Sequence, residues 1–365
     1  NERIKFIMAY TTVNKSSSFM TPNIYTGNAG TNTLSIGFQP DLFWNKARSG
    51  TYSTGDQCLF DSQRGALYRI LSNSGSIQTV VANSLTAFNS NGVTLGSEDQ
   101  SNGASTEYAS WAWKAGTAVS GNTSGSGTVK TYTGTVNTTS GFSIIKYTGN
   151  GTNGMTIPHH LGVKPSMIIV KRYTDSGSWA WQVYHTSLSA TKYIKLSDTS
   201  AAGTSSSRWY NVEPTSTVFT LGDDTDVNVN DSNFIAYCFA EKQGYQSMGS
   251  YIHNGQSGGP LGPKKGGNFI YLGFRPTLIL IKNASAAGTN WLIQDIKRSP
   301  INDVDDCLFP NASSAESANY NTNFLSNGFK LSGSGPVLGS SGNQVIYYAV
   351  GQTLVGANNT PNNAF

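Results

Sequence analysis

A chain of 365 residues can hold two or three domains of ordinary size, and this one carries only 12% charged residues against 40 glycines, with a formal net charge of +4. The positive residues are scattered and form no Lys/Arg stripe, which argues against a nucleic-acid partner. No apolar run reaches the roughly 20 residues of a membrane span, so membrane insertion is not expected.

Taken in order, residues 1–19 hold one apolar piece at 4–10 and then a polar run. They read as an N-terminal arm, either a strand given to a neighbour or an attachment segment. At Tyr25-Thr26-Gly27-Asn28 begins an element that returns as Tyr147-Thr148-Gly149-Asn150 and Tyr251-Ile252-His253-Asn254. Each copy precedes a Gly-x-x-Pro turn, at Gly37, Gly162 and Gly273, that opens into an apolar run such as Leu278-Ile279-Leu280-Ile281-Lys282. Asp61, His185 and Asp295 follow 24, 23 and 22 residues after those glycines, and the triplets starting at Val93, Phe219 and Phe329 follow after 56, 57 and 56. The closing aromatics Trp111, Tyr237 and Tyr348 fall at 74, 75 and 75. Agreement at successive landmarks points to internal repeats, which govern any fold assignment.

Within each repeat, short apolar runs are separated by Gly/Asn/Ser/Thr turns, and Asn91-Gly92 and Asn327-Gly328 signal tight hairpins. The closing strands alternate, as Trp111 and Trp113 do, which predicts one buried face and one small or polar face. Convincing helical periodicity is missing, the best stretch being 62–71. The expected fold is all-β: three tandem homologous antiparallel β-sandwich domains at 20–117, 142–243 and 244–352. Residues 118–141 read as a Gly/Ser/Thr-rich linker with one strand, 257–267 as an exposed inserted loop, and 353–365 as a flexible C-terminal tail.

Motifs that could carry chemistry have simpler structural readings. Gly149 to Gly154 matches G-x-G-x-x-G, but the next residues, Met155-Thr156-Ile157-Pro158, predict a strand where a phosphate site needs a helix. Gly255-Gln256-Ser257-Gly258-Gly259 matches a nucleophile elbow without its α/β context. The run from Asp224 to Asp231 alternates like a calcium loop, yet Ile235 stands where a bidentate acid is required, so a hairpin tip is the simpler reading. The pair His159-His160 cannot set both rings on one strand face, and Cys58, Cys238 and Cys307 show no ligand spacing. Asp61 with Arg64 and Asp295 with Arg298 recur in corresponding places, which favours structural ion pairs over a catalytic acid. No catalytic residue, metal or cofactor is expected. Sugars stack on exposed aromatics, and while Trp44, Trp111, Trp113 and Trp291 read as core, Arg208-Trp209-Tyr210 beside a Ser-rich turn is the candidate ligand-binding group.

The combination of Tyr147 to Gly151, Gly162-Val163-Lys164-Pro165, Ile168 to Lys171 and Phe234 to Glu241 resembles a repeated domain of tail-fibre-like and other virion-associated proteins of tailed phages, notably marine ones. The resemblance covers residues 22–352 in three copies and supplies no catalytic residues. It implies a non-enzymatic virion surface protein, a tail fibre or similar appendage, assembled in the host cytoplasm and then extracellular. The implied partners are other virion proteins, further copies of the chain (a trimer for a fibre) and glycans of the host envelope. The alternatives are an architectural or decoration subunit of a head, tail or filament, and an envelope polysaccharide depolymerase.

Overall fold

The structure is a computed structural model that describes residues 10–256, 267–333 and 335–353. It is all-β, 44% strand and 3% helix, and its strands pair antiparallel in several sheets. Residues 62–71 form a turn leading into the strand Tyr68–Leu71, and the helices are the single turns Asp99–Asn102, Ser206–Trp209 and a 3-10 turn at Ser16–Ser18.

The sheets come in pairs, each a large sheet faced by a three-stranded one. In the first pair the large sheet runs Met20–Thr26, Glu107–Trp113, Leu42–Ser49, Cys58–Asp61, Tyr68–Leu71, Thr79–Val80, and the small one Asn32–Ser35, Gly92–Leu95, Leu85–Asn89. The second is built around Phe142–Thr148, Asn233–Phe239, Met167–Arg172 and Gln182–His185, faced by Ser124–Gly125, Met155–Pro158 and Val218–Leu221. The third large sheet runs Gln246–Ile252, Gln344–Gln352, Arg275–Asn283, Trp291–Asp295, and its small partner Phe269–Tyr271, Gly328–Leu331, Thr322–Leu325.

The expected linker departs from the sequence reading. Thr117–Asn122 and Thr131–Asn137 extend the second large sheet beyond Phe142–Thr148. A Ser/Thr-rich segment can do this because an exposed outermost strand needs backbone pairing more than an apolar face; Tyr132 and Val136 enter the core and a partly buried Val119 packs against it. Residues 10–19 are likewise packed rather than projecting. Val13 is buried, the Tyr10 hydroxyl donates to the Gly273 carbonyl at 3.1 Å, and the Ser16 N–H donates to Gln352 at 2.6 Å. The remaining arm residues 1–9, the loop at 257–266 and the tail at 354–365 lie outside the described residues.

Strand alternation explains the uninterrupted apolar runs. Phe43, Tyr108 and Ala112 pack into the first pair's own core, Ile168, Val170, Phe234 and Cys238 into the second, and Ile279, Ile281, Val345 and Tyr347 into the third. Their neighbours Trp44, Trp111, Trp113, Met167, Ile169, Tyr237, Phe239, Leu278, Leu280 and Tyr348 point the opposite way into one core shared by all three large sheets. The closing strands are therefore buried on both faces, where the sequence predicted a small or polar second face. Period-2 patterning disappears when both faces lose water.

The three large sheets meet in a closed cycle of contacts. Tyr237 of the second donates its hydroxyl to Asp61 of the first at 2.8 Å. His185 of the second bonds the Tyr347 carbonyl of the third at 3.1 Å, and Trp111 of the first donates its indole N–H to Asp295 of the third at 3.0 Å. The recurring Asp/Arg turns are indeed ion pairs, Asp61–Arg64 and Asp295–Arg298, both at 2.6 Å with side chains at most 1% exposed. Arg298 also reaches Glu316, which binds Arg48 of the first large sheet at 2.6 Å. Burial alone would lower the Arg298 pKa, but Asp295 and then Glu316 outweigh it and hold the guanidinium above its ordinary value.

The other repeated elements are structural too. Tyr25, Tyr147 and Tyr251 donate their hydroxyls to the carbonyls of Ser101, Val227 and Leu338 at 2.7, 2.7 and 2.9 Å. Lys46, Lys171 and Lys282, the last residues of the repeated apolar runs, are buried and turn their ammonium groups onto backbone carbonyls, Ser53, Gly75 and Thr289 among them. Burial pushes their pKa values down, to about 8, 7 and 8 respectively. The opening glycines Gly37, Gly162 and Gly273 all have positive φ, 99°, 72° and 78°, which explains the residue type at each turn.

Candidate functional site

The residues nominated from sequence are not exposed together as one group. Ser206–Trp209 is one helical turn whose cap, Ser205, accepts from the Ser207 N–H at 3.2 Å. This turn sends Trp209 inward, where it is 1% exposed and meets Tyr184 edge-on at 5.9 Å. Arg208 stacks over Tyr193 at 4.5 Å and pairs with Asp224 at 2.5 Å. Tyr210 alone of the three faces solvent, in a left-handed conformation with φ 52°. Replacing Trp209 by alanine is expected to cost about 3–5 kcal/mol of stability in a denaturant titration, as for a large core aromatic; a loss below about 1 kcal/mol would contradict its burial.

The acidic run has protein partners of its own. Asp224 holds Arg208, Asp226 accepts from the Ala180 N–H at 3.0 Å and from Gln182 at 2.7 Å, and Asp231 pairs with Lys130 at 2.6 Å. Among the described residues no group of three His, Cys, Asp or Glu side chains could hold a metal ion. His159 is buried and bonds the Thr215 carbonyl, whereas His160 reaches the Tyr132 hydroxyl at 2.8 Å. All three cysteines are buried free thiols, and burial pushes them up to about 12, 12 and 11 in chain order. Gly149 to Gly154 leads directly into the strand Met155–Pro158. Ser257, the centre of the G-x-S-x-G match, lies outside the described residues.

The surface that stands out is the outward face of the third small sheet. Its inward residues Ile270, Phe324, Phe329 and Leu331 belong to the core. Directly opposite residues of an antiparallel pair share a face, so the register puts Phe269, Lys330 and Asn323 in one outward row and Tyr271, Gly328 and Leu325 in the next. Phe269 is 48% and Tyr271 65% exposed, on the outermost strand of that sheet. Ile252, 58% exposed, is tied to the start of the strand by a 2.8 Å bond from Asn268 to its carbonyl. Tyr10 closes the other end, its pKa raised by burial and then by a hydrogen bond with Tyr271.

Gly328 is fixed by geometry, since a Cβ there would lie 2.0 Å from the Ile270 carbonyl oxygen. Gly92 makes the same approach to Leu34 in the first pair, at 1.9 Å. The two hairpins predicted from Asn-Gly form, but Ser90-Asn91 and Ser326-Asn327 make the turns, while each glycine is already paired, opposite Asn89 or Leu325.

The matching faces elsewhere differ. In the first pair the outermost strand offers Thr33 and Ser35, and Asn89 bonds Thr94 at 2.8 Å. In the second, Ser124–Gly125 adds a strand alongside Met155–Pro158 and bonds it through Ser124 and Thr156 at 2.7 Å. Exposed aromatics occupy these positions only in the third pair. Sequence reasoning missed them because Phe269-Ile270-Tyr271 reads as another apolar core run. The available signal was the contrast with Thr33 and Ser35, and with Thr156 and Pro158, flanking the corresponding inward residues Leu34 and Ile157.

Comparison with curated proteins and with solved structures returns no match. A family model described as Domain of unknown function (DUF7483) matches residues 15–353, and the chain belongs to that family.

Proposed function

We propose that this is a non-enzymatic surface protein of a tailed-phage virion, a fibre or similar appendage, that contacts host-envelope glycans through the outward face carrying Phe269 and Tyr271. The observation that carries the reading is this exposed aromatic pair on a rigid sheet, standing where the other two faces bear small polar residues or an added strand. Flat aromatic faces receive the apolar faces of sugar rings without requiring charge. The buried ion pairs that could suggest chemistry are consumed in holding the sheets together. We read the three sheet pairs as tandem copies of one sandwich domain, supported by their common sequence landmarks and by the shared roles of Tyr25, Tyr147 and Tyr251.

The test is retention of the purified protein on host-envelope polysaccharide, together with immunogold microscopy of particles. The wild type should be retained, and the double variant Phe269→Ala/Tyr271→Ala should bind at least about tenfold more weakly, since truncating aromatic anchors costs about 2 kcal/mol or more. Gold should label an outer appendage of intact particles. Labelling only after particle disruption would favour the architectural subunit, a reading supported by the outermost strands Met20–Thr26 and Gln246–Ile252, each paired on one side only. New reducing ends would point to a depolymerase.

A further inference from the structure

We propose that the outward face of the third small sheet takes an acidic saccharide, with the sugar on Phe269 and Tyr271 and its carboxylate on Lys330. This rests on the glycan-contacting reading above and adds the charge class of the ligand. In the register, Lys330 lies directly between Phe269 and Asn323 on adjacent strands, and these three side chains share the solvent face. Adjacent strands are about 4.8 Å apart, so the aromatic ring and the amide on the outer strands stand about 10 Å apart with the ammonium group between them, the span of about two sugar units. Neither Lys330 nor Asn323 makes a side-chain hydrogen bond or ion pair with a described residue, and both are partly exposed.

The carboxylates among the described residues of the third pair are held by groups other than Lys330. Asp303, at the end of the same sheet, is engaged by Asn321 at 3.3 Å and Ser332 at 3.2 Å. Asp306 and Glu316 face Arg48, Asp295 is closed by Arg298, and Asp305 accepts from Ser299. A neutral sugar would use the aromatic rings and the Asn323 amide but give the ammonium group no counter-charge. A uronate presents an apolar ring face and a carboxylate in one unit, which matches Phe269 and Lys330 on adjacent strands, and the hydroxyls of the next unit match Asn323.

The experiment is a calorimetric or NMR titration of the full chain with tetragalacturonate and with its methyl ester, which removes the charge and keeps the ring. The wild type should bind the acid about tenfold more tightly than the ester at low salt, the span of one hydrogen-bonded charge contact, and the difference should shrink as salt rises. Lys330→Gln should bind acid and ester alike, whereas Phe269→Ala should weaken both. Thermal midpoints near the wild-type value would show that these solvent-facing substitutions leave the fold intact. Equal wild-type affinity for acid and ester, or a preference that survives in Lys330→Gln, overturns the acidic-saccharide assignment. Binding that stays sensitive to Phe269→Ala would then still support glycan contact at this face. Failure of both saccharides to bind also overturns the assignment, and retention on envelope polysaccharide decides the broader reading separately.

Discussion

Asp295→Ala is expected to destabilise the protein by about 3–5 kcal/mol, the cost of leaving a buried charge without its partner. Arg298 is inaccessible at the side chain, so the stranded guanidinium cannot turn to water. The same substitution removes acceptors for the Trp111 indole and for the backbone N–H groups of Lys297 and Arg298. Glu316 would keep one contact at 3.0 Å, which limits but does not cancel the loss. Urea unfolding of Asp295→Ala and of Asp295→Leu/Arg298→Met separates the causes. The double variant should recover much of the stability, because an apolar pair carries no stranded charge. A single variant within about 1 kcal/mol of wild type would show that this joint does not hold the sheets together.

Acidification is expected to weaken the joint between the second and third large sheets. His185 sits where the other joints have Asp61 and Asp295, and its ring is placed as the neutral form: Nδ1 accepts from the Ser187 N–H at 3.2 Å and Nε2 faces the Tyr347 carbonyl at 3.1 Å. Protonation would give Nδ1 a hydrogen that confronts the Ser187 N–H. Burial lowers the His185 pKa from 6.5 to about 4, partly opposed by the Tyr347 carbonyl. Between those values the unfolded chain binds more protons than the folded one, so stability is present above pH 6.5 and is lost as pH falls toward 4. The loss from this one group approaches roughly 3 kcal/mol. His159, lowered to about 4 chiefly by burial and also accepting at Nδ1, adds to the same acid limb. Urea midpoints at pH 7, 5.5 and 4.5 should therefore fall steeply for the wild type and less steeply for His185→Asn, whose amide keeps a donor and an acceptor but does not titrate. Parallel slopes would rule His185 out as a source of the acid sensitivity.

Much of this architecture was legible in spacing. The recurrence of Gly-x-x-Pro, of the Asp/Arg turns and of the closing aromatics placed the strands, because each landmark marks a backbone requirement: positive φ at Gly37, a buried pair at Asp61, a doubly buried strand at Trp111. The shared core was not legible. Alternation tells which residues point the same way, not whether the face they share meets water or another sheet. Trp113 and Tyr348, joined by a 3.0 Å bond across 235 residues, give no local sign of that contact. The burial of Trp209 was hidden for a related reason. Trp209 and Phe269 are both aromatic residues near turns, and only the cap at Ser205 and the outermost position of Phe269–Tyr271 decide that one turns inward and the other outward.

The shared core also divides the chain's capacity to change. A residue such as Phe239, tilted against Phe142 at 4.8 Å and Tyr348 at 5.1 Å and edge-on to Trp113 at 6.4 Å, answers to neighbours from three distant parts of the sequence, so any replacement must suit all of them together. The small sheets lie on the far side of each sandwich from that meeting point, and their outward residues take no part in the shared core. Drift is thus blocked at the centre and permitted at the periphery, which lets one outward face carry exposed aromatics while the other two keep hydroxyl-bearing residues.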